Sequence, residues 1–305
     1  MVTKWPTRLH RDSGREKIPT ELEITTATTG EEQISFGYDI PASSDPFRWF
    51  KLLLVEDQLP QRLELSDELA KAREKMEKAN LDAVRVVAKY LRELWRHTTQ
   101  EVKNILSENS VAECRFHIVV TVPALWKDAA RQSMREAVEA AGLLVARRAG
   151  PTTLDLLSEP AAAAIATFAS MQGRPDIVSG DSMLIVAAGS VTVELICYNV
   201  DSVDPFRLSE CIEGSSGYCG AVFLDQNFQN HLRNRLTPQV WDAISAKDLK
   251  KFLNNEWEHG IKQAFDGLDE KSYTIDLPSS CEVEDDELTL EQYALPSTTL
   301  IAMAC

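Results

Sequence analysis

The chain has 305 residues, 44% of them hydrophobic, a composition typical of a folded globular protein with room for two domains. It carries 47 acidic and 32 basic side chains, and the formal net charge of −15 argues against nucleic acid or an anionic membrane as the main partner. No apolar run approaches the roughly 20 residues of a membrane span. The start of the chain lacks the apolar stretch of a secretory signal, and the six cysteines include no CxxC pair. These features predict a cytoplasmic protein without a zinc site.

The first half of the chain alternates strand and helix patterns. Short strands are predicted at 21–26 and 34–40, and apolar residues at spacings of three and four predict helical structure over 61–108. A strand at 114–123 follows, in which His117 is expected to be a core residue. A helix at 127–141, a strand at 143–147 and a helix from Ser158 complete an α/β unit. The most plausible hinge is at 173–180.

Three strands are predicted after the hinge, at 183–188, 191–200 and 206–212, and their short links suggest an antiparallel meander. The first of them reads as a buried strand. Residues 213–220 are rich in glycine and predict a loop, and 221–236 and 246–265 predict helices. Residues 282–287 are acidic, and the last residues, 300–305, are apolar.

Four sequence blocks carry a resemblance to a known family, and they occur in that family's order. They lie at 118–128, 158–165, 184–194 and 213–225, and a fifth segment, 256–265, looks like the family's adenosine-contacting helix. The chain resembles the nucleotide-binding domain of the 70-kDa heat-shock chaperones, above all their diverged fungal relatives, in the actin-like ATPase superfamily. The resemblance implies a two-lobed α/β fold of the actin-like, ribonuclease H-like kind. Lobe I would span 1–175, and lobe II would span 181–305 with a helical subdomain at about 221–290.

The departures from the family pattern concern the residues that hold phosphate and metal. The second phosphate loop of the family begins with aspartate followed, after one residue, by three glycines, whereas this chain reads Ala187, Ala188, Gly189 and Ser190 at the start of that loop. The first phosphate hairpin, the late glycine loop and the peptide-binding domain have no counterpart in the sequence. Since phosphoryl transfer depends on placing metal and phosphate accurately, we expect no useful ATP hydrolysis, no tight ATP binding, no cofactor and no metal.

Three residues are candidates for acid–base chemistry. The resemblance places Lys51 at the family's catalytic lysine, and the alternative is a lysine that extends to solvent from a half-buried strand. Glu159 is either an acid in the interlobe cleft or a carboxylate that interacts favourably with a helix N-terminus. Glu194 replaces a family aspartate and is either an acid or base or an exposed strand residue.

The remaining candidates are ligand-binding residues. Gly189, Ser190 and Thr192 lie in the old phosphate region, where the two hydroxyls either bind a ligand or belong to an ordinary turn. The loop with Gly214, Gly217 and Gly220 either approaches a ligand or connects strand to helix with positive φ angles. Glu258 and Lys262 either contact adenosine, as the resemblance implies, or form a helix salt bridge at spacing i, i+4.

Three functions compete at this point. The interlobe cleft is predicted to bind a small organic molecule, and acid–base residues there would catalyse a cofactor-free cyclisation or isomerisation. The alternatives are a non-catalytic pseudo-chaperone that binds a protein partner, or a truncated ATP-binding homologue. The missing first strand would leave open sheet edges, which predicts a rearranged sheet, a homodimer, or cover from residues 298–304.

Overall fold

The computed structural model of the chain describes residues 2, 4–6, 17–26, 30–41, 43–61, 66–171, 177–236, 238–267, 272–278, 281 and 292–296. The chain divides into two compact units. The first comprises Met1–Ala187 and Glu194–Ser216, and the second comprises Ala188–Val193 and Gly217–Cys305. The lobes 1–175 and 181–305 stay a prediction.

The elements up to residue 217 form three small sheets with flanking helices. In chain order they are β1 (Leu22–Thr26), β2 (Glu32–Phe36), a 3₁₀ segment (Phe50–Gln58), α1 (Asp67–Lys78), α2 (Ala83–Leu106), α3 (Glu108–Ala112), β3 (His117–Val122), α4 (Asp128–Ala140), β4 (Thr153–Ser158), α5 (Glu159–Met171), β5 (Ser182–Ala188), β6 (Val193–Val203) and β7 (Phe206–Gly217).

The helical pattern predicted over 61–108 is confirmed for most of its length but is interrupted. Asn80 adopts a left-handed backbone conformation, with φ of 51°, which ends α1. Asp82 then caps α2, because its Oδ1 accepts a hydrogen bond from the amide of Arg85 at 2.7 Å. The two helices are therefore separate elements with their own start and stop signals.

β3 and β4 form a parallel pair, in register from His117 opposite Thr153 to Val122 opposite Ser158. The strand predicted at 143–147 is wrong. Gly142 has φ of +79°, and Arg147 and Gly150 exchange two backbone hydrogen bonds, so this stretch turns back before β4 begins. The core position expected for His117 is also wrong. Its imidazole is exposed, and Nε2 lies 2.8 Å from Oδ2 of Asp155 on the neighbouring strand.

β5, β6 and β7 are neighbours in that order in a three-stranded sheet, as the meander prediction requires. One face of the sheet packs on α5 through Ile185 and Phe168. The prediction that β5 is buried is wrong for its other face, where Leu184 is 61% and Val186 57% exposed. The glycine-rich loop predicted from residue 213 begins later than expected, because β7 continues to Gly217.

The elements after residue 217 are mainly helical and enclose their own hydrophobic core. They are α6 (Ala221–Arg235), α7 (Pro238–Ala243), α8 (Ala246–Phe252), a π-helix (Leu253–Ile261), α9 (Lys262–Ala264), β8 (Ser272–Asp276) and β9 (Gln292–Pro296). Phe228 of α6 is fully buried and stacks on Trp257 of the π-helix, with ring centroids 4.0 Å apart. β8 and β9 pair antiparallel, and Ile275 and Leu295 contribute to the same core.

Several predictions fall outside the described residues. They concern the first half of the hinge, residues 173–176, the acidic stretch 282–291 and the apolar segment 298–304. The homodimer through open sheet edges also stays a prediction. Among the helices that the structure describes, none combines the length and the apolar character needed to cross a bilayer.

Candidate functional site

The first unit brings together the three residues that sequence analysis selected for acid–base chemistry. Lys51 lies on the 3₁₀ segment, Glu159 opens α5, and Glu194 lies near the start of β6. Lys51 Nζ donates a hydrogen bond to Glu159 Oε1 at 2.9 Å, and the same ammonium lies 5.4 Å from the ring centroid of Trp126. Lys51 is therefore not on a strand, as one alternative required, but on a short helix that directs it toward α5.

Glu194 is buried, with only 1% of the residue exposed, so the alternative of an exposed strand residue is wrong. Its Oε1 accepts a hydrogen bond from the backbone amide of Ala124 at 2.6 Å, in the loop between β3 and α4. Its Oε2 is buried and has no hydrogen-bond partner within the described part of the chain. A buried carboxylate oxygen without a partner is costly, because the charged form loses its hydration without replacement.

The surroundings of Glu194 favour its neutral form. Burial raises the pKa of this carboxyl most strongly, and the negative charge of Glu159 raises it further. The hydrogen bonds from the amides of Ala124 and Leu125 and the positive charge of Lys51 lower the pKa but do not cancel the effect of burial. The net effect is a raised pKa, so near pH 4.5 a larger fraction of Glu194 is protonated than of an ordinary glutamate.

Glu159 plays a different part in the same cluster. As the first residue of α5 it lies where the helix dipole favours a negative charge, which is the structural alternative considered from the sequence. Its side chain also holds Lys51, and the pair is partly solvated, with 39% of the Lys51 side chain and 32% of the Glu159 side chain exposed. The cluster thus combines a buried acid with an ion pair that solvent reaches.

A second group of predicted residues lies in the second unit, at the start of α6. The turn at 189–192 is closed by a hydrogen bond from the amide of Gly189 to the carbonyl of Thr192 at 2.8 Å. Three carbonyls of this turn accept hydrogen bonds from the amide of Gly220, which precedes α6, and from the first two amides of α6. These bonds run from Gly220 to Val191, from Ala221 to Gly189 and from Val222 to Ser190, at 2.9, 3.2 and 2.8 Å.

This arrangement explains why residue 220 is a glycine although its φ angle is negative. Gly220 has φ of −76°, so the prediction of a positive φ is wrong for this residue. A Cβ at this position would lie 2.6 Å from backbone atoms of Gly189 and Ser190. Gly217, by contrast, ends β7, and a Cβ there would meet only Cys219 Sγ at 3.5 Å, an ordinary contact.

The same hydrogen bonds bear on whether this region fits the phosphates of ATP, which the family resemblance implies. The free amides of a helix N-terminus are a ready-made anion site, but the first amides of α6 already donate to the 189–191 carbonyls. Ala187 and Ala188 supply no carboxylate for a metal. The residues around the turn therefore do not fit a metal-bound triphosphate.

The pair Glu258 and Lys262 is formed, and it has a third partner that sequence analysis missed. Lys262 Nζ donates to Glu258 Oε2 at 2.5 Å and to Asp225 Oδ1 of α6 at 2.9 Å. Asp225 Oδ1 also accepts a hydrogen bond from Trp257 Nε1 at 2.7 Å. Burial lowers the pKa of Lys262, but the hydrogen bonds to the two carboxylates raise it more. The cluster joins α6 to the π-helix, and a contact with adenosine stays a prediction.

Comparison with known proteins supports part of the resemblance. No curated protein matches the chain. Residues 55–178 match the family model of the Hsp70 protein, a segment that spans less than half of the chain and includes α1 to α5 and Glu159. The mixed helix and sheet content fits the same family. The match therefore shows that this segment is similar to Hsp70 proteins, and the mixed helix and sheet content of the described residues is compatible with an α/β fold of the actin-like ATPase kind.

Proposed function

We propose that this Hsp70-like chain does not hydrolyse ATP and that the Lys51–Glu159–Glu194 cluster binds a small organic molecule. The observation that carries the proposal is the buried Glu194 carboxyl, which has one unpartnered oxygen and lies beside an ion pair. A buried polar group without a partner needs an explanation, and a catalytic role is one of them. Carboxyl groups with perturbed pKa values are concentrated at functional sites. The occupied amides of α6 support the part of the proposal that concerns ATP.

The cluster has the groups that a proton-assisted reaction requires. Glu194, whose pKa is raised by burial, would donate its proton to an oxygen or carbon of the bound molecule. Lys51 would stabilise the negative charge that remains on Glu194 or develops on the substrate, and Glu159 would position Lys51. A positioned general acid contributes about 10²–10⁴-fold in rate, enough for a cofactor-free isomerisation or cyclisation of an already reactive substrate.

The proposal is tested with a small diazoacetamide, a reagent that esterifies protonated carboxylic acids. The acid transfers its proton to the diazo carbon, and the carboxylate then displaces dinitrogen to form the ester. At a pH slightly above 4.5 we expect more label on Glu194 than on the exposed glutamates, because its raised pKa keeps a larger fraction of this carboxyl protonated. Peptide mass spectrometry locates the ester, and Glu194→Gln is the matched variant that must lose it.

Labelling in denaturant is the control, since unfolding returns Glu194 to an ordinary environment and should remove the preference. Absence of label on Glu194 in the folded chain would show that a small molecule does not reach a neutral acid there, and the proposal would fail. Metal-dependent turnover of ATP by the pure protein would instead favour the alternative of an ATP-binding chaperone homologue.

A further inference from the structure

A pair of thiols lies on the hairpin formed by β6 and β7, on elements of the first unit. Cys197 is on β6 and Cys211 is on β7, and these strands are neighbours in their sheet. The two side chains lie within reach of each other, and the interaction with Cys211 raises the pKa of the Cys197 thiol. Cys211 is exposed and Cys197 is partly exposed, so solvent reaches the pair.

Contacts on both sides of the pair show that the two strands are held together there. Ser209 Oγ donates to Asp201 Oδ1 at 2.8 Å on the side of the hairpin turn. On the other side, Gly214 packs so closely on Ile196 that a Cβ would lie 2.9 Å from its side chain. The proximity of the thiols therefore follows from the pairing of the strands and not from one mobile side chain.

We propose that Cys197 and Cys211 form a reversible oxidation site, at which a peroxide converts the two thiols into a cross-strand disulfide. The inference is independent of the proposed acid–base function. Cys197 and Cys211 take no part in the acid–base chemistry proposed for the cluster around Glu194.

The reaction proceeds in two balanced steps. The Cys211 thiolate attacks one oxygen of hydrogen peroxide, the O–O bond breaks, and the products are a sulfenic acid on Cys211 and hydroxide, which takes up a proton to become water. The Cys197 sulfur then attacks the sulfenic sulfur, the S–S bond forms, and the S–O bond breaks. The Cys197 proton leaves with the hydroxyl group as a second water. Two thiols are oxidised, and one peroxide is reduced to two waters.

Exposure and acidity assign the roles of the two cysteines. Cys211 is the exposed thiol and meets the oxidant first. The interaction with Cys211, followed by burial, raises the pKa of Cys197, so Cys197 ionises less readily than an ordinary thiol and acts second. Glu210 and Glu213 flank Cys211, and these acidic side chains disfavour anionic oxidants such as glutathione disulfide over neutral hydrogen peroxide.

Ring closure is compatible with the position of β7. Two cysteines are bridged readily when their Cα atoms are within about 7 Å, a range that includes close neighbours on paired strands. Within the described part of the chain, β7 has only β6 beside it in its sheet.

The test treats the full chain with hydrogen peroxide, blocks the remaining thiols by alkylation and analyses the peptides by mass spectrometry without reduction. We expect a cross-linked peptide that joins Cys197 to Cys211, lighter by two hydrogens and restored by a dithiol reductant. In Cys197→Ser the cross-link should be absent, and dimedone should trap the sulfenic acid on Cys211. Cys219→Ser, which removes another exposed thiol, should leave the cross-link unchanged.

The wild-type result decides the proposal even where a variant does not fold. Progressive oxidation of Cys211 to sulfinic acid without any cross-link to Cys197 would overturn it. A disulfide from Cys211 to a different cysteine would also overturn it, because the strand pairing would then not control the chemistry.

Discussion

At the scale of single residues, Glu194 shows how burial changes what a carboxyl group does. Its pKa is higher in the folded chain than the ordinary value of 4.5, so the folded chain keeps this proton over a range where the unfolded chain has released it. The contribution of Glu194 to stability is complete below 4.5 and is lost as the pH rises through the folded-state pKa.

Glu194→Gln should remove the loss of stability that accompanies deprotonation of Glu194 as the pH rises. Glutamine keeps an oxygen that accepts the Ala124 amide but carries no charge to bury, so its free energy of unfolding should exceed that of the wild type increasingly as the pH rises. Urea unfolding at several pH values measures the difference. Glu213→Gln on exposed β7 is the control and should follow the wild-type pH dependence. Parallel curves for Glu194→Gln and wild type would contradict the prediction.

Lys51→Met should raise the pH at which the contribution of Glu194 to stability is lost. The reason is that the positive charge of Lys51 lowers the pKa of Glu194. The ion pair with Glu159 is partly solvated, so its loss should cost only about 0.2–1 kcal/mol of stability at neutral pH. Stability against pH, measured as above, separates the two effects. Lys71→Met is the matched control, since it breaks the comparable pair with Glu68 on α1 without touching the cluster. An unshifted transition in Lys51→Met would count against the electrostatic link.

At the scale of elements, the start of α6 depends on a close backbone approach. Gly220→Ala should destabilise the chain by about 1–3 kcal/mol, because its Cβ would lie 2.6 Å from backbone atoms that have no flexible side chain to move aside. Gly217→Ala, only three residues earlier, should change stability by less than about 0.5 kcal/mol. Thermal unfolding of the two variants measures both changes in stability. Equal losses of stability would show that the close approach at Gly220 does not determine the effect of an added Cβ.

At the scale of the whole molecule, the occupied amides of α6 predict no response to ATP and magnesium. A ligand present at 100 times its Kd stabilises a folded protein by about 2.7 kcal/mol, which a thermal melt detects easily. We expect no change in melting temperature at millimolar ATP with magnesium, and no release of phosphate. A clear upward shift that depends on magnesium would show that the turn at 189–192 rearranges to bind nucleotide.

The sequence by itself determined the elements with strong local signals. Each of these signals lies within a few neighbouring residues: the apolar spacing of α4, the proline after β3, and the Ser158–Glu159–Pro160 start of α5. The structure has these elements where they were predicted. Lys51, Glu159 and Glu194 were selected through the family resemblance and not through a local pattern. Sequence analysis failed where local composition was ambiguous, as at 143–147 and in the extension of β7 to Gly217.

Only the tertiary structure decided the chemistry of the site. Lys51 and Glu159 are 108 residues apart in the chain, and Ala124 and Glu194 are 70 apart, so no local pattern reports their hydrogen bonds. Three further features are likewise not reported by a local sequence pattern. They are the burial of Glu194, the hydrogen bonds from the start of α6 to the turn at 189–192, and the proximity of Cys197 and Cys211. Local periodicity shows which face of an element is apolar, whereas pKa and hydrogen bonding depend on what packs against that face from elsewhere in the chain.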